Sequence, residues 1–437
     1  MAGYVGFITA LLAALPLRSS PFRLRQSGSH GTAAWGEGES LHKEHGLLLG
    51  TRAGRRLCYD GEGHLLTVAP TGTGKGVGPI LSNLLAYEGS VVVTDPKGEN
   101  YAVSGRWRAL GLGHRVAAFD PFGVAGGQAA FNPLDLVDTG RPDAIDDARA
   151  LADMMVTQHG RMTENDTHFA EEGKELLAGL ILYVAYAEAG EARSLVRVRD
   201  LLTLEPVAFD DLLEEMLAST GCGGLIQRTA AKLLQKAEKE RSGVVSSAQR
   251  HTHFLDSAYV QRCLSRTTAP LLELKRRPLS VYLILPMERL DSYAPWLRLM
   301  IAACWMAVVR DPARPARRTL FLLDEFANLG RMDQVVRATA LLRGYGASIW
   351  LFAQSLAQLK ATYPESWEAL LDVDVLQAFG TNDPLTAEHL SKMAGEETVY
   401  AKSQNAAQSS GRRRGRGWQR SYTFSEKTRR LILPDEV

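Results

Sequence analysis

The chain has 437 residues, 45% hydrophobic and 23% charged, with 50 Lys and Arg against 49 Asp and Glu. At roughly 100–200 residues per domain this length suggests about two to four domains, and the ordinary apolar and charged fractions exclude a disordered chain, a collagen-like chain and a multi-span membrane protein. A net charge of +1 gives no global attraction to nucleic acid, so any such binding must come from a local patch.

Tyr4 to Leu17 is an uncharged apolar run. About 14 residues of helix rise ~21 Å, short of the ~30 Å of a bilayer core. A secretory signal is a poor match, because no Lys or Arg precedes the run. Arg18, Arg23 and Arg25 follow it, which would keep the downstream chain cytoplasmic if the run touches a membrane. An interfacial segment and a buried or disordered start both fit. The four cysteines (Cys58, Cys222, Cys263, Cys304) lie far apart without a CxxC pair, which suits a reducing cytoplasm and implies no disulfide framework.

From Gly46 the pattern becomes α/β. Leu65-Leu66-Thr67-Val68 predicts a strand, followed by a Gly-rich turn and by Val77 to Tyr87 at helical spacing. Val91-Val92-Val93 predicts a second strand, Tyr101 to Leu110 a helix, and Val116 to Phe119 a third strand. Short apolar runs between helices point to parallel strands buried on both faces. From about Asp143 to Thr268 such runs disappear. Phe169, Leu176, Leu177, Leu180, Ile181 and Val184 share one helical face there, and Leu201 to Leu217 and Leu225 to Ala237 read alike. Strands return at Ser280 to Leu285, Leu320 to Leu323, Ser348 to Phe352 and Val375 to Phe379, with helices over Trp296 to Val309 and Val335 to Leu342. Ala401 to Ser425 carries Arg412, Arg413, Arg414, Arg416 and Arg420 among Ser, Gly and Gln; with little to bury, it reads as a mobile loop. The expected division is an N-terminal segment (1–45), a nucleotide-binding domain in two parts (46–137 and 271–400), an inserted all-α domain (138–270), and a loop with the C-terminal segment (401–437).

The chemistry starts at Ala69-Pro70-Thr71-Gly72-Thr73-Gly74-Lys75-Gly76, between a strand and a helix as a P-loop must be. Glycines let successive backbone N–H groups turn toward phosphate oxygens, and the helix N-terminus adds partial positive charge. Thr71, Gly72, Thr73, Gly74, Lys75, Gly76 and Val77 are therefore the expected nucleotide-binding residues, with Lys75 reaching the β- and γ-phosphates. Ala69 stands where the generic motif has its first Gly, and Gly76 where a Ser or Thr hydroxyl binds Mg²⁺. Thr71, Thr73 or water would substitute for that hydroxyl.

Leu320-Phe321-Leu322-Leu323-Asp324-Glu325 is an apolar strand ending in two carboxylates. Alone this is common; beside a P-loop it predicts Asp324 as the Mg²⁺ ligand and Glu325 as the general base for an attacking water. Gln354 ends the following strand and reads either as a γ-phosphate sensor or as a polar loop cap. Arg331, Arg337 and Arg343 come between. A solvated surface charge is the ordinary reading for each; Arg343, next to Gly344 and just before a strand, is the candidate arginine finger acting on a neighbouring subunit. His251-x-His253 offers two metal ligands without a third.

Six segments carry a resemblance: Ala69 to Gly78, Thr94 to Asn100 (TDPKGEN), Phe131 to Leu134 (FNPL), Phe321 to Gly330 (FLLDEFANLG), Ala353 to Leu359 (AQSLAQL) and Phe379 to Asp383 (FGTND). They resemble, in the same order, the type IV secretion coupling proteins, the TraG-type conjugative DNA-transfer ATPase family. His30 to Gly36 and Leu433 to Val437 are similar to it as well. In that family Lys75-Gly76 is the usual pair, so Gly76 departs only from the generic motif. The resemblance implies an α/β, RecA-like P-loop NTPase core with a parallel-rich sheet and an inserted all-α domain. It further implies ATP and Mg²⁺ as cofactors, a homo-hexamer at the cytoplasmic face of the bacterial inner membrane, and delivery of DNA, a relaxase nucleoprotein or effector proteins to a type IV secretion channel. Family members usually carry two N-terminal membrane helices and continue past the Pro434-Asp435-Glu436-Val437 segment, so a shortened relative, a fragment or a degenerate copy is expected. Two other readings stay open: a general double-stranded DNA translocase or helicase of the same superfamily, and a non-hydrolysing adaptor that binds substrate beside a vestigial motor.

Overall fold

The structure is a computed structural model that describes residues 28–36, 41–43, 45–156, 164–332, 335–336, 342–409 and 417–437. The apolar run Tyr4–Leu17, Arg337 and the cluster Arg412, Arg413, Arg414 and Arg416 lie outside them, as does most of the helix expected over Val335 to Leu342.

A hairpin of β1 (Leu47–Arg52) and β2 (Arg55–Tyr59) precedes the main sheet. That sheet is built from β3 (Leu65–Val68), β4 (Val91–Thr94), β5 (Arg115–Phe119), β6 (Leu279–Leu283), β7 (Thr319–Leu323), β8 (Ala347–Ala353) and β9 (Val375–Ala378). Their order is β5-β6-β4-β7-β8-β3-β9, and every pairing is parallel. Alternation divides each strand between two cores: in β7, Leu320 and Leu322 face one and Phe321 and Leu323 the other. A strand buried on both faces needs apolar residues throughout, which is why these runs are continuous in sequence.

Helices α1 (Ser82–Ala86) and α2 (Glu99–Leu110) follow β3 and β4. Between β5 and β6 the described chain is helical, through α3 (Ala144–Met155), α4 (Glu164–Ala187), α5 (Leu195–Leu202), α6 (Pro206–Ala218), α7 (Leu225–Leu234), α8 (Glu238–Thr252) and α9 (Ala258–Leu264). The run read from Leu201 to Leu217 breaks at Thr203, because Pro206 cannot donate within a helix and instead begins α6. Entry and exit of this helical stretch lie side by side. Phe131 N donates to Cys263 O (2.9 Å), Thr268 N to Ala130 O (2.9 Å), and Asn132 N to Thr267 Oγ1 (2.9 Å). Asn132 also donates to Arg193 O (2.6 Å), so the Phe131–Leu134 motif ties the sheet to the helices.

After β6 comes α10 (Leu290–Arg310). Among the described residues it is the one helix long and apolar enough to cross a membrane; two thirds of it is buried, against α3 and the core shared with the sheet. Its Arg310 pairs with Asp147 of α3 and donates to Leu136 O. Last come α11 (Leu356–Thr362) and α12 (Pro384–Ala394).

The reading of Ala401 to Ser425 as a mobile loop is corrected by the structure. β10 (Glu396–Ser409) and β11 (Gly417–Arg430) form a long antiparallel ribbon through both sides of that segment. A two-stranded ribbon satisfies its backbone groups by pairing and needs no core of its own. Its base is anchored instead. Ala33 N donates to Glu396 O (2.9 Å), His30 N to Thr398 Oγ1 (3.1 Å), and Ser391 Oγ of α12 to Ile432 O (2.6 Å).

Asp383 caps α12 by accepting from Thr386 N (3.0 Å) and also accepts from Ala357 N of α11 (3.4 Å). Losing an N-cap costs about 1–2 kcal/mol. Asp383→Ala is therefore expected to lower the unfolding free energy by that much, read as a lower denaturant midpoint with no change in slope.

Candidate nucleotide site

Three adjacent interior strands, β7, β8 and β3, deliver the site at their C-terminal ends. The chain leaves β3 through Ala69, whose N–H continues the sheet by donating to Ala353 O (2.9 Å), and turns sharply at Gly72 and Gly74. Their φ values of 84° and 93° lie where only glycine is unstrained, and a side chain at either would meet nothing within 4 Å. The turn is thus an open backbone surface. Thr71 and Val77 are exposed, and the Thr73 hydroxyl is committed to its own turn, donating to Pro70 O at 2.7 Å. Gly76 begins a wide helical turn that runs through Leu81 into α1. Asn83 of α1 pins that helix to the β1 hairpin, exchanging bonds of 2.8 Å with both Leu48 N and Leu48 O.

Lys75 points back toward the end of β7. Its Nζ lies 2.5 Å from Glu325 Oε1 and 3.3 Å from Asp324 Oδ1, and all three side chains are largely buried. Burial pushes the Asp324 carboxyl above its usual range; Lys75 opposes that shift and Glu325 adds to it. The Asp324 carboxylate accepts from Glu325 N (2.9 Å), and its carbonyl from the Thr94 hydroxyl (3.0 Å) at the end of β4. Glu325 itself adopts a left-handed conformation (φ 52°, ψ 39°), an uncommon state for a non-glycine residue that concentrates at functional sites.

Gln354, at the end of β8, donates to Glu325 Oε2 at 3.0 Å. Lys75, Asp324, Glu325 and Gln354 are thus brought together from residues as far as 279 positions apart. Arg343 is not. It lies just before β8, at the opposite end of the parallel sheet, exposed and 3.5 Å from Asp374. Within one chain it cannot reach Lys75. His253 Nδ1 is bonded to Arg250 O (2.6 Å), and among the described residues no group of three or more His, Cys, Asp or Glu is placed to hold a metal.

Sequence reasoning missed two members. Asn328 Nδ2 donates to Glu325 Oε2 (3.2 Å), and Gln358 Nε2 donates to Asn328 Oδ1 (2.8 Å). Both fall inside segments already singled out, three residues after Glu325 and four after Gln354, which was the available signal. Asp95 is also buried; it accepts from Tyr101 N of α2 (2.9 Å), and burial raises its carboxyl.

The donor set fits a nucleotide with a divalent cation: open glycine backbone, one ammonium, and two adjacent carboxylates at the C-terminal ends of parallel strands. Residues 31–437 match the family model described as type IV secretory system conjugative DNA transfer. The chain belongs to this family. The conjugal transfer protein TraG of Escherichia coli is 30% identical over 400 residues, spanning 87% of this chain and 62% of the relative. VirD4 of Rhizobium radiobacter is 26% identical over 474 residues, 99% of this chain and 64% of that protein. The chain therefore spans less than two thirds of the length of these coupling-protein relatives. Its α/β fold is similar to that of the bacterial conjugative coupling protein TrwB. The trigonal form with sulphate has TM-score 0.69 and 20% identity, covering 92% of this chain and 87% of TrwB. The complex with the non-hydrolysable ATP analogue ADPNP has TM-score 0.68 and 19% identity, covering 93% and 87%.

Proposed function

We propose that the chain is the motor part of a coupling ATPase: a RecA-like P-loop core that binds and hydrolyses ATP with Mg²⁺ to recruit and move DNA or nucleoprotein toward a type IV secretion channel. The observation that carries this reading is the convergence of Lys75, Asp324 and Glu325 beside the open glycine turn. Backbone N–H groups of residues 71–77 and the Lys75 ammonium would hold the phosphates. Asp324 would hold Mg²⁺, which when bound supplies positive charge for the phosphate oxygens. Glu325 accepts the proton of the attacking water at a carboxylate oxygen, and Gln354 keeps that carboxylate oriented. TrwB, which shares the fold, is described both with ADPNP and with ADP and Mg²⁺.

Arg343 acts in trans in this reading, within a homo-hexamer at the cytoplasmic face of the inner membrane. Its exposed place at the far end of the sheet, away from Lys75, supports that, since it leaves the side chain open to a neighbouring subunit. Mixing Arg343→Ala with Lys75→Ala subunits is expected to restore part of the turnover that each lacks alone. No rescue at any ratio, with both variants assembling, contradicts a trans finger.

DNA binding is testable through salt. The net charge is only +1, and Arg412, Arg413, Arg414 and Arg416 form the chain's densest basic cluster. Each phosphate contact adds about −0.9 to the log–log salt slope on duplex DNA. Changing those four to Ser is expected to flatten the slope by ~3–4 units if all touch phosphate. An unchanged slope places the DNA contacts elsewhere.

A further inference from the structure

The two oxygens of the Glu325 carboxylate are held differently. Oε1 is paired with Lys75, whereas Oε2 accepts from two primary amides, Gln354 Nε2 at 3.0 Å and Asn328 Nδ2 at 3.2 Å. A primary amide is a donor at one end and an acceptor of nearly the same shape at the other, so the partner of its far end decides which end meets a carboxylate. Asn328 Oδ1 accepts from Gln358 Nε2 at 2.8 Å, and Gln358 Oε1 accepts from the backbone N–H of Gln354 at 3.2 Å. A backbone N–H cannot reverse. It draws the carbonyl end of Gln358 to itself, which turns the amino end of Gln358 to Asn328, which in turn presents the amino end of Asn328 to Glu325.

Gln358 is itself fixed. It sits in the first turn of α11, where its N–H donates to the capping Ser355 Oγ (3.1 Å). The start of that helix is held to α12 by Leu356 N donating to Thr386 Oγ1 (2.9 Å).

We propose that Gln358 is a positioning residue for Glu325. It acts through the polarity of this amide chain, fixing Asn328 by its side chain and Gln354 by its backbone, so that Oε2 meets two donors. The proposal rests on the reading of Glu325 as the general base.

Gln358→Glu gives the test, because it keeps the acceptor for Gln354 N–H but replaces the donor with a second acceptor. Asn328 must then turn its amino end toward residue 358 and its carbonyl toward Glu325, and the clamp becomes repulsive. Turnover is expected to fall at least about tenfold with ATP affinity within about twofold, the split of a residue that acts in the transition state. Gln358→Met removes both ends without reversing the chain and is expected to lose less. On an Asn328→Ala background Gln358→Glu adds little, since the amide that reverses is gone. The same non-additivity is expected in the thermal unfolding midpoint without nucleotide, a readout that needs no turnover. If Gln358→Glu does not fold, Gln358→Met and Asn328→Ala carry the cycle, their losses merging instead of multiplying. Gln358→Glu at the parent rate, or equal losses with and without Asn328, would overturn the proposal. Absence of turnover in the parent chain overturns the general-base reading and this role with it, and it is visible before any substitution is made.

Discussion

Glu325→Gln is expected to bind ATP with Mg²⁺ as the parent does and to turn it over about 10²–10⁴-fold more slowly. The amide keeps the size of the carboxylate and its place at the end of β7, but it cannot take a proton from water. Ground-state affinity has no reason to fall. In the parent, Lys75 lies 2.5 Å from Glu325 Oε1, a contact that phosphate must compete with. Neutralising residue 325 weakens that competitor, so affinity holds or tightens slightly. Titration with a fluorescent ATP analogue and phosphate release, run on the same preparation, separate the two quantities. Unchanged turnover would remove Glu325 from the chemistry.

Lys75→Ala is expected to lose roughly 1.5–3 kcal/mol of ATP affinity, the range of a charge-assisted hydrogen bond. That is a factor of about 10–150 in Kd. The figure is a net one. Without nucleotide the ammonium is already paired with Glu325 and Asp324, so binding exchanges one set of partners for another. The substitution also strips two neighbouring, largely buried carboxylates of their cation, and the Asp324 carboxyl, already raised by burial, rises further. A carboxylate freed of its ammonium partner attracts a cation more strongly, so Mg²⁺ binding at Asp324 without nucleotide is expected to hold or tighten while phosphate binding weakens. Equal ATP affinity in calorimetric titrations of parent and variant would contradict the assignment of the glycine turn.

The five interior parallel strands were legible because burial on two faces forces largely unbroken apolar runs, as in Leu320–Leu323 and Ile349–Phe352, and the edge strands β5 and β9 because their short apolar runs alternate with helices. The two antiparallel pairs were not. The β1 hairpin turns through Ala53 and Gly54, both at positive φ, without the Asn-Gly or Asp-Gly that marks such turns. The β10–β11 ribbon is specified by backbone pairing and by contacts at its base with residues near His30, nearly four hundred positions away. Within the site, Lys75, Asp324 and Glu325 could be read from motif and strand position. Asn328 and Gln358 could not, since their roles follow from which amide end meets which neighbour. Arg343 shows the same limit. Its glycine context is local, but it is the parallel pairing of β3 and β8 that puts a residue preceding β8 at the strand ends away from Lys75, which follows β3.

Steady-state ATP hydrolysis by the parent chain, measured with and without double-stranded DNA, tests the central claim most directly. A DNA-coupled motor predicts measurable turnover that rises when DNA is added and falls steeply in both Lys75→Ala and Glu325→Gln. Turnover absent under both conditions, in a preparation that binds ATP with Mg²⁺, would contradict it and leave a nucleotide-binding adaptor.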